Sequence, residues 1–186
     1  MNKILIDYFS DYQRSFSKIL SSTVDSNLDN LKNLVLLIQK LKKYKKSKII
    51  LFGNGGSSSI ASHISVDLVK ACKINSVTFN EANLITCFSN DYGYENWVKE
   101  TLKKHADSRD LVILISSSGT SKNMIKAARY CISSNLNLIT FTGFNKKNPL
   151  KKLGKINFWV DYKGYNFVEM AHHILLTSIV DYFAEK

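Results

Sequence analysis

With 186 residues, 45% of them hydrophobic, the chain has the material for one ordinary domain around one well-buried core. No segment reaches the roughly 20 apolar residues needed to span a bilayer, and the apolar patch in Met1 to Tyr8, broken by Asp7, is too short for a signal peptide. The net charge of +11 brings nucleic acid into question, but the lysines fall in local clusters, Lys40 to Lys48 and Lys146 to Lys155, with no nucleic-acid-binding motif, so a solvated, anion-attracting surface is the plainer reading.

Residues 2–22 place Ile4, Tyr8, Phe9, Tyr12, Phe16, Ile19 and Leu20 at helical spacing, and 27–45 repeat the pattern through Leu28, Leu31, Leu34, Leu37, Ile38 and Leu41. Two leading helices are therefore expected, the first serving for self-association or packing on its own domain. Ile49-Ile-Leu-Phe52 is a buried strand that stops at Gly53-Asn54-Gly55-Gly56, and Ser57, Ser58 and Ser59 open a helix over 58–72. Val77 to Phe79 reads as a short strand. Residues 83–88 lead to a polar loop, Ser89-Asn-Asp91-Tyr-Gly-Tyr-Glu95, and a helix through Trp97, Val98, Thr101 and Leu102.

Leu111 to Ile115 is a second buried strand, followed by Ser116-Ser117-Ser118-Gly119-Thr120-Ser121 and a helix over 124–131. Further strands are expected at 136–143 and 156–161, and a last helix at 165–184 that is apolar on most sides and so buried. Strands alternating with helices predict an α/β fold, a doubly wound five-stranded parallel sheet. Cys72, Cys87 and Cys131 have neither disulfide nor metal spacing and read as small hydrophobes in a reducing cytoplasm.

The two strand–loop–helix units carry the chemistry. Glycines let the backbone approach a phosphate, and a helix start offers unpaired N–H groups at a positive dipole end. Two such loops at the carboxyl ends of parallel strands converge on one crevice. Neither contains the lysine of a nucleotide P-loop or a GxGxxG fingerprint, so the expected ligand is a phosphorylated small molecule.

Four stretches, Gly53 to Ser57, Ser89 to Glu95, Ile115 to Ser121 and Thr140 to Gly143, taken in order, resemble the sugar isomerase (SIS) fold and, within it, the phosphoheptose isomerase group. The resemblance implies a flavodoxin-like single SIS domain over 1–186, with N-terminal helices at 1–46, an α/β core at 47–164 and a C-terminal helix at 165–186. It implies a cytoplasmic homotetramer that converts sedoheptulose 7-phosphate to D-glycero-D-manno-heptose 7-phosphate for surface polysaccharide such as lipopolysaccharide or capsule. It also implies that Ser57, Ser116, Ser118 and Ser121, with Gly55, Gly56 and Ser117 in the same loops, hold the sugar phosphate, and that Asn54 and Asp91 contact sugar hydroxyls. Asp67 stands where the family has its glutamate base. His63 matches a histidine that joins a zinc site in some members, so His63, Asp67 and Glu169 form the zinc set the resemblance offers.

The chain departs from what the resemblance implies at two places. On its last helix Glu169 and Thr177 stand where the family has a glutamine and the partner-acid histidine, and four residues after Asp67 the family's arginine falls on Ala71, with Lys70 adjacent. The catalytic candidates are thus Asp67, Glu169, His172 and His173, either histidine standing in for the lost acid. The plainer alternatives are an i,i+4 pair between His63 and Asp67 that only ties a helix face, and a core role for the two histidines. A phosphosugar-binding module that no longer turns its ligand over is the second function class, and direct nucleic-acid binding the third.

Overall fold

Five strands, β1 (Ile49–Gly53), β2 (Ser76–Val77), β3 (Leu111–Ser116), β4 (Asn137–Thr142) and β5 (Ile156–Trp159), lie side by side, all parallel, in the order β2-β1-β3-β4-β5. The computed structural model describes residues 2–184. In chain order the elements are α1 (Asn2–Lys42), β1 (Ile49–Gly53), α2 (Gly56–Lys70), β2 (Ser76–Val77), α3 (Ala82–Tyr92), α4 (Trp97–His105), β3 (Leu111–Ser116), α5 (Lys122–Ser133), β4 (Asn137–Thr142), a 3-10 turn (Leu150–Lys152), β5 (Ile156–Trp159) and α6 (Tyr165–Ala184).

Alternation along the strands sends side chains into two cores. Ile49, Leu51, Leu111, Ile113 and Ile115 meet Leu34 and Ile38 of α1, Ile64 and Leu68 of α2, and Leu176 and Ile179 of α6. Ile50, Phe52, Val112 and Leu114 point the other way, onto Trp97 and Leu102 of α4 and Met124, Ala127 and Cys131 of α5. Both faces are covered, so the central strands are apolar at almost every position and buried throughout.

The chain winds outward from β1 in both directions. Gly53 and Ile115 sit opposite each other in the register of β1 and β3, and the helices that follow these strands pack on opposite faces of the sheet. Their two loops must diverge, and the gap between them is the switch point where open α/β sheets bind ligands.

Three elements differ from expectation. The two leading helices are one continuous helix of 41 residues. No glycine or proline interrupts the junction, and its hydroxyls and amides bond back into the helix instead of breaking it. Ser22 and Thr23 donate to the Ile19 carbonyl at 2.9 and 2.7 Å, and Asn27 donates to the Thr23 carbonyl at 2.7 Å. The polar loop begins later than expected, because α3 runs on to Tyr92 and ends where Gly93, at φ 82, carries an N–H bonded to Ser89 O at 2.9 Å. Only Ser76 and Val77 form β2, which leaves Phe79 to stack on Phe52 outside the sheet.

Candidate functional site

The loops after β1 and β3 enclose a cleft of about 340 Å³. Asn54, Gly55, Gly56 and Ser57 line one wall, Ser116, Ser117, Ser118 and Ser121 the other, and Tyr165 and Glu169 of α6 close the third side. Neither α2 nor α5 has a side-chain cap at its start, so both helix N-termini bring their positive ends to the cleft without an internal oxygen to satisfy them. Both helices exceed two turns, and the two dipoles act on the same space.

Close packing shapes each wall. A Cβ on Gly53 would come within 2.4 Å of the Ser57 carbonyl, so glycine is what allows α2 to start directly over the end of β1. A Cβ on Gly56 would meet Glu169 Oε2 at 2.2 Å. Glycine there lets the carboxylate lie against the first turn of α2. On the other wall, the Gly119 N–H bonds Ser116 O at 2.9 Å, and Ser116 Oγ donates to Ser121 Oγ at 3.2 Å, which folds the serine loop into a tight turn. The Ser117 hydroxyl is buried without a well-formed hydrogen bond to any described residue.

A glutamate beside an anion cradle cannot be a phosphate ligand, because like charges repel. Burial pushes the Glu169 carboxyl above its usual range, offset in part by the nearby Ser117 hydroxyl. A partly desolvated carboxylate of raised pKa suits a general base.

Further along the contact between α2 and α6, three side chains form a chain. His63 Nε2 lies 3.1 Å from Asp67 Oδ2, and His63 Nδ1 lies 3.0 Å from His173 Nε2. An ionised carboxylate only accepts, so His63 carries its proton on Nε2 and its Nδ1 accepts from His173 Nε2–H. That leaves His173 Nδ1 as the free base. Burial, then the neighbouring His63, lowers the His173 pKa against the opposing pull of Asp67, which favours the neutral ring.

His172 goes elsewhere. It is fully buried, donates from Nε2 to the Thr142 carbonyl at 3.0 Å and stands edge-on to Phe141. Desolvation drives its pKa down to about 4. Of the two histidines expected as replacement acids, it is the core one. Asp91, on the exposed side of α3, accepts from its neighbour Asn90 at 2.9 Å and does not line the cleft. Thr177 cannot replace the lost histidine: its hydroxyl bonds back to His173 O and Ile174 O, both at 3.0 Å.

The zinc set offered by the resemblance is not assembled. His63 has both ring nitrogens engaged, Glu169 lies against Gly56, and among the described residues no group of three or more His, Cys, Asp or Glu is gathered to hold a metal ion.

Two residues that the sequence reading missed complete the site. Asn123, buried on α5, exchanges two hydrogen bonds with Asn54: Asn54 Nδ2 to Asn123 Oδ1 at 3.0 Å and Asn123 Nδ2 to Asn54 Oδ1 at 2.9 Å. Tyr94 adds a donation from its hydroxyl to Asn54 Oδ1 at 3.3 Å. Both Asn54 oxygen lone pairs are thereby used, and one N–H of its amide is left for a ligand. An asparagine two residues past Ser121 was the available signal, but nothing in the sequence paired it with Asn54. These residues, with Glu95 and Lys122, line a second chamber of about 410 Å³ that shares Asn54 and Ser121 with the cleft.

Residues 11–143 match the model of the family described as SIS domain. A phosphoheptose isomerase of Helicobacter pylori is 30% identical over 180 residues, covering 90% of this chain and 91% of that protein. The structure of a phosphoheptose isomerase from Francisella tularensis superposes with a TM-score of 0.88 at 18% identity, covering 97% of this chain and 98% of that one. The structure of a phosphoheptose isomerase from Neisseria gonorrhoeae gives a TM-score of 0.82 at 19% identity, over 100% of this chain and 99% of that one. The chain belongs to the SIS-domain family, in its phosphoheptose isomerase group.

Proposed function

We propose that this protein is a phosphosugar isomerase that interconverts sedoheptulose 7-phosphate and D-glycero-D-manno-heptose 7-phosphate, or a closely related pair, for bacterial surface polysaccharide. The observation that carries the reading is the union, in one cleft, of an uncharged phosphate cradle and a partly desolvated carboxylate. Ser57, Ser116, Ser118 and Ser121, with the starts of α2 and α5, take the phosphate. The free N–H of Asn54 takes a sugar hydroxyl.

Ketose-to-aldose conversion moves one proton from C1 to C2 and another from O1 to O2. The Glu169 carboxylate takes the proton from C1, forming an enediolate with its charge on O2, and returns it to C2. His173 Nδ1, one helical turn beyond Glu169 on α6 and outside the residues that line the cleft, takes the O1 proton and delivers it to O2. While it holds that proton its charge is stabilised through His63 by Asp67, which makes His63 and Asp67 positioning residues. Asp67, expected from the resemblance as the base, is engaged with His63, so the role passes to Glu169.

Exposed apolar side chains on the first turns of α1 (Ile4, Leu5, Phe9) and beside His63 and His173 (Val66, Val69, Met170) support a homo-oligomer, in our reading a tetramer. No helix among the described residues is long and apolar enough to cross a membrane, and a cytoplasmic location fits a phosphorylated substrate. The test is incubation of the purified protein with sedoheptulose 7-phosphate in heavy water, following deuterium exchange and product by NMR. Deuterium at C1 or C2 is expected. Absence of both, in a preparation whose melting temperature rises with the same sugar phosphate, would leave a binding protein instead.

A further inference from the structure

A second cavity lies at the opposite end of the sheet from the serine cleft, with a volume of about 230 Å³. Leu111 and Asn137, register partners at the first positions of β3 and β4, form its floor, and the last turns of α1 form its roof. Three cations, Lys40, Arg109 and Lys155, stand on its rim with Tyr44 and Ser108, and no carboxylate lines it.

The nearby acids are already committed. Asp110 is fully buried and accepts from Lys48 Nζ at 2.7 Å, from the Lys48 backbone at 2.9 Å and from the Asp107 backbone at 2.7 Å. Asp107 pairs with Arg109 through Nε at 3.0 Å, which leaves the outer guanidinium nitrogens only partly engaged. Lys40 and Lys155 form no ion pair with any described residue. Lys155 is held by its backbone, whose N–H bonds Leu138 O at 2.9 Å. The charge surplus here thus comes from two elements brought together by the fold: the end of α1 and the entry to β5.

We propose that this cavity is a second anion site, distinct from the serine cleft, for a compact multivalent anion of the phosphate class. Its volume lies below the roughly 300–1,000 Å³ of sites for drug-sized ligands, which suits a compact anion better than a whole nucleotide. Two lysines and half an arginine favour at least two negative charges, and Tyr44, Leu37 and Leu41 leave an apolar wall for a short carbon portion. A ligand here would tie α1 to β3, β4 and β5 from below while the cleft above works independently.

Inorganic pyrophosphate is the probe, titrated by calorimetry into the full-length protein. In the double variant Ser118→Ala/Ser121→Ala, which weakens the cleft, one binding event should persist. It should weaken at least tenfold when Lys40→Gln and Lys155→Gln are added, and less than twofold when Lys43→Gln and Lys46→Gln are added instead. The second pair removes the same charge from exposed lysines close by in sequence that do not line the cavity. Loss of all binding in the serine variant overturns the proposal, because the cleft would then be the sole site. Equal weakening by the two lysine pairs also overturns it, because the binding would then be general surface charge.

Discussion

The serine cleft and the helix pair beside it, α2 against α6, obey different constraints. The cleft is backbone-built: helix starts, tight turns and glycines admit almost no other residues. The helix pair is side-chain-built, and what it presents is Glu169 against Gly56 and the His63 link between Asp67 and His173. A cleft made of backbone is thus tied to the fold, whereas a polar side-chain set depends on what two packed helices happen to present. A base needs only reach and a suitable pKa.

The largest test of this contrast is Glu169→Gln. It keeps the volume beside Gly56 and removes the base, so turnover and C1/C2 exchange should fall about 10²–10⁴-fold, with the sugar phosphate still raising the melting temperature. If instead Asp67→Asn has the larger effect and Glu169→Gln a small one, the roles of the two carboxylates are reversed. The cradle should respond in the opposite sense. Ser118→Ala with Ser121→Ala should weaken sugar phosphate binding by about 10²-fold, at roughly 1.5 kcal/mol per hydrogen bond to a charged group, and calorimetry reads this directly.

His172 offers a stability test that separates the two histidines of α6. Its pKa is about 4 in the folded protein and near 6.5 when unfolded. The unfolded chain therefore binds the extra proton between those values, and stability falls as pH drops from 6.5 to 4, by roughly 3 kcal/mol in the limit. Denaturant melts at pH 7 and 5 should show this loss, and His172→Gln should flatten it. His173→Gln should leave the slope largely in place and lower turnover instead. The smallest effect is expected of Asn123→Ala, which frees the Asn54 amide to rotate. A severalfold rise in KM with nearly unchanged kcat would support its positioning role, and an unchanged KM would show that Tyr94 alone holds Asn54.

Much of this was legible in the chain itself. Ile49 to Phe52 and Leu111 to Ile115 declared themselves as buried parallel strands because both faces of such a strand are apolar, and the glycines and serines after them marked the only backbone that could follow. Other features were illegible for physical reasons. Residues 23–26 fall between two expected helices, yet in α1 Thr23 and Ser26, like Ser22 and Asn27 beside them, bond carbonyls of the preceding turn. His172 and His173 are adjacent letters, but on a helix adjacent side chains point about 100° apart, so one meets Phe141 and the other His63.

The alternation of strands and helices, the two loops of glycine and serine after β1 and β3, and the membership of the family can all be read along the chain, because they depend on local backbone needs and short-range periodicity. Three other features exist only in the folded molecule: Glu169 lies over Gly56, His63 links Asp67 to His173, and Asn123 locks Asn54. Each of these joins residues separated by 69 to 113 positions, or depends on such a pair. Such contacts are set by how helices dock on the two faces of the sheet, which no window of sequence contains.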